Sequence, residues 1–135
     1  VIGLVVAAHA DLAGELLRTA EMIIGPLPRV ATIGICREDS PEEVRARFAK
    51  AVAEAGQDGH GVLILTDMFG GTPSNIGYAF LEPQRVEVLT GVNLAMLLKA
   101  ASERSSQSLA QLAVTTKEYG QQSILLASEI LTRLS

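Results

Sequence analysis

Residues 63–75 read LILTDMFGGTPSN, and this stretch decides the fold. Five residues, Leu63 to Asp67, pass from a β-branched apolar run into a lone carboxylate. Two glycines and a helix-start signature, Thr72-Pro73-Ser74, follow at once. An apolar run with a turn at its carboxyl end and a helix beyond it is half of a βα unit. A carboxylate at the end of a buried strand is costly unless it is paired or used. The partner suggested by the sequence is in residues 4–17, LVVAAHADLAGELL, where another apolar run ends in a lone imidazole, His9.

The same alternation runs along the chain. Val1–Ala8 predicts a strand buried on both faces, and Asp11–Ile24 a helix with Leu12, Leu16, Ala20 and Ile23 on one side, stopped by Gly25-Pro26. Val30–Cys36 reads as the second strand, with Cys36 as a small core residue. A second helix opens at Ser40 as N-cap, with Pro41 first and acids in its first turn, and ends at Gly56. Gly61–Thr66 is the third strand, Thr72–Leu81 a helix, Val86–Leu89 the fourth strand and Asn93–Ser105 a helix. The tail from Leu109 has a helical portion, then Ser123–Ser128, apolar enough for a strand or a last helix and preceded by Gly120 as a flexible joint. Repeated βα units imply a three-layer α/β/α fold with a mainly parallel sheet, the commonest small order being the flavodoxin-like 2-1-3-4. Residues 1–135 form one domain on this reading.

Composition narrows the function. The chain has 135 residues, 48% hydrophobic but only 4% aromatic, so its core must be aliphatic. A net charge of −4 argues against nucleic acid as a partner. A single cysteine forbids an intrachain disulfide and points to a reducing cytoplasm. The N-terminal run is too short and uncharged for a signal peptide, and no stretch reaches the roughly 18 apolar residues of a membrane span. Absence of an initial Met suggests that the natural start lies upstream.

In a 2-1-3-4 sheet strands one and three are neighbours, and ligands bind in the crevice at their carboxyl ends. His9 and Asp67 both fall there. A carboxylate accepting the Nδ1–H of an imidazole fixes the tautomer, leaves Nε2 as nucleophile and stabilises positive charge on the ring. Gly70 and Gly71 permit close backbone approach, Thr72 can cap the helix with Pro73 first, and amides at a helix start favour a phosphate or carboxylate. Taken singly, His9 is an ordinary strand-end histidine and Asp67 a turn residue. Together with the glycines they suit phosphoryl transfer onto histidine. His60, in a glycine-flanked turn at the opposite end of strand three, reads as solvated loop.

Three segments, VVAAHADLAGELLRTAEMIIG, LILTDMFGGTPSN and LTGVNLAMLLKA, resemble the mannose-family IIA domain of the bacterial phosphoenolpyruvate-dependent sugar phosphotransferase system over nearly the whole chain. The resemblance implies that His9 accepts a phosphoryl group on Nε2 from the phosphohistidine of HPr and passes it to a IIB domain, the membrane IIC and IID subunits being indirect partners. It implies Asp67 as the orienting partner, and Gly70, Gly71 and Thr72 lining the phosphoryl pocket, with Gly91-Val92-Asn93 at the same sheet edge. No metal or cofactor is expected. It also implies a homodimer in which a fifth, antiparallel edge strand, assigned to Ser123–Ser128, is exchanged between subunits. Ala10 and Met68 depart from the family pattern, where Gly or Ser commonly follows the histidine and the position of Met68 often holds Thr or another residue; they bear on partner preference. A regulatory IIA protein that senses phosphorylation state is the alternative output.

Other classes fit less well. A receiver module also uses an aspartate after strand three, but it needs further acids after strand one to hold magnesium, and AAHAD supplies only Asp11. No G-x-G-x-x-G or G-x-x-x-x-G-K-[ST] follows strand one, and Ser74 does not lie in a G-x-S-x-G elbow.

Overall fold

A computed structural model describes residues 1–68 and 70–134. The strands are β1 (Gly3–His9), β2 (Val30–Ile35), β3 (Val62–Thr66) and β4 (Val86–Thr90). The helices are α1 (Leu12–Ile24), α2 (Pro41–Ala55), α3 (Thr72–Tyr78), α4 (Leu94–Glu103), α5 (Leu109–Gln122) and α6 (Ala127–Leu134). The sheet order is β2-β1-β3-β4 and every ladder is parallel. The fold expectation is met, helix boundaries moving by a few residues; α3 stops at Tyr78, not Leu81.

Why β1 and β3 read as unbroken apolar runs is now plain. Side chains alternate between two cores, one on each face. Leu4, Val6, Ala8, Leu63 and Leu65 meet Ala13 and Ala20 of α1, Leu97 and Ala100 of α4, and Leu109 and Leu112 of α5. Val5, Ala7, Val62 and Ile64 meet Val44, Phe48, Ala51 and Ala55 of α2, and Ile76 of α3. Phe48 is fully buried and stacks on Phe80 at 5.6 Å between ring centroids. Truncating it to Ala removes the largest side chain of that core, a loss of about 3–5 kcal/mol. Helix α2 starts as expected: Ser40 Oγ accepts from the Glu43 amide while the Glu43 carboxylate accepts from the Ser40 amide. Such a cap contributes about 1 kcal/mol.

Gly120 corrects the sequence reading. It is buried within α5, and a Cβ there would lie 2.6 Å from Met96 Sδ, so it is a close-packing contact between α4 and α5 and no flexible joint. Segment 124–126 is in neither helix nor strand, Ser123 closes α5, and Ala127 and Ser128 open α6. Ile124, Leu125 and Leu126 are 80%, 69% and 61% exposed, so among the described residues this apolar segment joins neither core.

At the amino-terminal edge of the sheet, Arg104 is buried and donates to the carbonyls of Ile2, Pro28 and Arg29. Burial pulls its pKa below the ordinary value, with Asp58 opposing. It ties α4 to the β1 and β2 starts, opposite the end that carries His9.

A histidine–aspartate pair at the carboxyl edge of the sheet

His9 is the last residue of β1, and Asp67 is the first residue after β3. The ladder pairs Ala7 with Thr66, which brings the two side chains to the same point. His9 Nδ1 lies 2.7 Å from Asp67 Oδ2, and the same oxygen accepts the His9 backbone N–H at 3.0 Å. One carboxylate oxygen therefore holds both the ring and the backbone that carries it. Oδ1 is buried and has no hydrogen-bond partner among the described residues.

The His9 side chain is half exposed while that of Asp67 is only 12% exposed. Burial pushes the Asp67 carboxyl upward. The amide of His9, its ring nitrogen and its charge outweigh that push, so the carboxyl titrates below its usual 3.8. An ionised carboxylate beside Nδ1 makes that nitrogen the donor, so the lone pair of the neutral ring lies on Nε2.

Nε2 faces the loop before α3. A Cβ on Gly71 would lie 3.0 Å from His9 Cε1 and 3.6 Å from Nε2, so glycine is what allows this backbone to approach the ring. Gly70 has φ +82°, a left-handed turn residue. Ser74 secures the loop from beneath: it is buried, its Oγ is 2.8 Å from Thr66 Oγ1, and it donates to the Met68 carbonyl. Asn75 Nδ2 donates to the Gly70 carbonyl at 3.3 Å. The expected cap at Thr72 falls one residue earlier. Gly71 is the N-cap, Thr72 is already helical with Pro73 second, and no side chain closes the cap. Sequence signals place helix ends only to within a residue or two.

Opposite Thr72 stands a wall that the sequence reading missed. His9, Ala10, Ile35, Cys36, Arg37, Asp39 and Thr72 line an open depression of about 540 Å³. Cys36 was expected in the core but is exposed, because β2 ends at Ile35 and the next residue leaves the two packed layers. Asp39 fixes this β2–α2 loop: Oδ2 accepts the Cys36 amide at 2.8 Å and Arg47 Nη1 at 2.8 Å, and Oδ1 accepts Nη2 at 3.2 Å. The Arg47 guanidinium and then the Cys36 amide hold the Asp39 carboxyl below its ordinary range. The strand order carried the signal: with β2 beside β1, the loop after β2 must border the residue after β1.

The remaining positions fall as the topology requires. The Gly91 and Val92 amides both donate to the Thr66 carbonyl at 2.9 Å, and Asn93 caps α4 by accepting from the Met96 amide. These residues brace the end of β3 from its β4 side. His60 is exposed at the far end of the sheet and lines a separate depression with Arg104. No helix of the described residues is long and apolar enough to cross a membrane, and no three His, Cys, Asp or Glu among them are grouped to hold a metal.

Comparison with known proteins agrees with the motifs. Residues 3–117 match the family described as EIIA-man, PTS system fructose IIA component. The PTS system fructose-specific EIIA component of Bacillus subtilis is 30% identical over 134 residues, covering 98% of this chain and 91% of that protein. The mannose-specific EIIAB component of Escherichia coli K12 is 32% identical over 124 residues, 88% of this chain but 38% of that longer protein. Among solved structures, the phosphotransferase system component EIIA from Streptococcus agalactiae aligns with a TM-score of 0.85 at 27% identity, covering 96% of this chain and 99% of that one. The mannose/sorbose-specific IIA subunit from Enterococcus faecalis aligns at 0.81 with 29% identity, covering 93% of each chain. A family match spanning residues 3–117 and relatives of this similarity identify the chain as a member of the EIIA-man family, the mannose-family IIA components of the sugar phosphotransferase system.

Proposed function

We propose that the chain is a phosphoryl carrier in sugar uptake: His9 accepts a phosphoryl group on Nε2 from phosphorylated HPr and passes it to a IIB domain. The observation that carries this reading is the Nδ1–Oδ2 contact of 2.7 Å behind a half-exposed ring whose Nε2 faces the Gly71 backbone. In the transfer, the Nε2 lone pair attacks phosphorus in line with the donor's P–N bond. That bond breaks, its electron pair returns to the donor imidazole, and positive charge develops on the His9 ring. Asp67 keeps the Nδ1 proton in place and stabilises that charge without taking the proton. Gly70, Gly71 and Thr72 would line the space around the phosphoryl oxygens. Moving the group between two imidazoles requires no bridging cation, so the isolated step should proceed in excess EDTA.

The same reading takes residues 1–135 as one IIA domain acting in the cytoplasm, with the membrane IIC and IID subunits downstream. It also takes the chain as a homodimer in which the tail segment Ser123–Ser128, with Ile124, Leu125 and Leu126 exposed, adds antiparallel to a neighbour's sheet edge, since parallel edge strands are otherwise open to pairing. Incubation with phosphoenolpyruvate, enzyme I and HPr should add one acid-labile, base-stable phosphoryl group, lost in His9→Ala and kept in His60→Ala. Onward transfer to a IIB domain distinguishes a transport carrier from a regulator that only reports phosphorylation state.

A further inference from the structure

We propose that Arg37 is a phosphoryl-binding residue, reaching from the β2–α2 loop to pair with the oxygens of a phosphoryl group carried on His9 Nε2. This rests on the carrier reading and deepens it. A phosphoryl group on Nε2 brings nearly two negative charges into a depression lined by Asp39 and His9, whose ring already contacts the Asp67 carboxylate, in a chain of net charge −4. Helix α3, TPSNIGY, is seven residues long and carries no cationic side chain to set against that charge.

A cation in the depression would offset that charge, and the geometry separates the two arginines near it. Arg47 is committed: its guanidinium forks onto Asp39 and donates to the Gly34 carbonyl at 3.2 Å. Arg37 lines the depression together with His9 and Thr72, it is exposed, and its guanidinium has no ion pair or hydrogen bond among the described residues. Glu38, the acid next in sequence, does not line the depression.

The loop also presents Arg37 at little entropic cost. Asp39 accepts the Cys36 amide, the Asp39 amide donates back to the Cys36 carbonyl at 3.2 Å, and Arg47 clamps the Asp39 carboxylate. The backbone of Arg37 is therefore held inside a closed turn before any ligand arrives. A planar guanidinium fork on that turn matches two phosphoryl oxygens better than an ammonium does.

The test is the equilibrium of phosphoryl exchange between HPr and the full chain, read by ³¹P NMR for wild type, Arg37→Gln and Arg37→Lys at low and high salt. Arg37→Gln should move the equilibrium toward phospho-HPr by about tenfold, change the ³¹P shift of phospho-His9 and leave the thermal unfolding midpoint unmoved. Arg37→Lys should recover part of the loss, and high salt should narrow the gap. An equilibrium within twofold of wild type in Arg37→Gln overturns this inference alone. A wild-type protein that never becomes phosphorylated overturns the carrier reading and this inference with it.

Discussion

Asp67 Oδ2 accepts two hydrogen bonds from His9, one from the ring at 2.7 Å and one from the backbone amide at 3.0 Å. The ring can then rotate only by breaking a bond whose acceptor is also pinned to its own main chain. Replacement of Asp67 by Asn keeps the shape and removes the charge. We expect Asp67→Asn to slow phosphoryl transfer by a factor on the order of 10² or more, measured by rapid quench from phospho-HPr. Transfer at near wild-type rate would make Asp67 a loop anchor only. The same variant reports on stability. The Asp67 carboxyl titrates lower in the folded state than its ordinary 3.8, so its contribution is present above that pH and lost as pH falls through the folded value. The stability gap between wild type and Asp67→Asn should therefore close in acid as pH falls below about 4.

Gly71 sits against the ring with an extended backbone, φ −84°, that any residue adopts. Gly71→Ala therefore tests space, since its methyl would lie 3.0 Å from His9 Cε1 and 3.4 Å from Met68 Cγ. Displacing the ring should slow transfer about tenfold to a hundredfold with little change in unfolding midpoint. An unimpaired Gly71→Ala protein would show that the backbone there does not bound the phosphoryl site.

Much of this was legible because each signal had one physical solution. Runs such as LVVAA and VLIL are apolar on both faces and so demand two helical layers. Once β1 and β3 are neighbours, the residues that end them must meet. Three features were not legible for equally specific reasons. Cys36 lies one residue past the strand that its apolar run predicts to contain it. Gly120 has the composition of a hinge, but its role is set by Met96, 24 positions away in sequence. Arg37 carries no local signature, and only the strand order brings its loop to His9. The apolar tail 124–126 reads equally well as strand or helix, because its exposed side chains face no core among the described residues that would fix a period.

Ala10 adopts φ +52°, in the left-handed region, and its amide donates to the Ile35 carbonyl at 2.9 Å. That conformation costs an alanine about 1 kcal/mol, which explains why glycine suits the position after the histidine. Ala10→Gly should raise the unfolding midpoint by only about 1–2 °C once the added unfolded-state entropy is subtracted. A fall in midpoint by calorimetry would show that the left-handed turn is not strained.

Residues 124–135 carry exposed Ile124, Leu125, Leu126 and Leu131. Cutting the chain after Ser123 leaves α5 whole and removes the segment assigned to exchange. Sedimentation at micromolar concentration should show a dimer for the full chain and a shift toward monomer for the cut one. A full chain that sediments as a monomer would reject the exchange.

The most direct measurement is ¹⁵N–³¹P NMR on the protein with ¹⁵N-labelled histidine after phosphorylation by phospho-HPr. The account predicts one phosphohistidine, at His9, with phosphorus coupled to Nε2 and a proton retained on Nδ1. Phosphorus coupled to Nδ1, or a phosphoryl group on any residue other than His9, would contradict it.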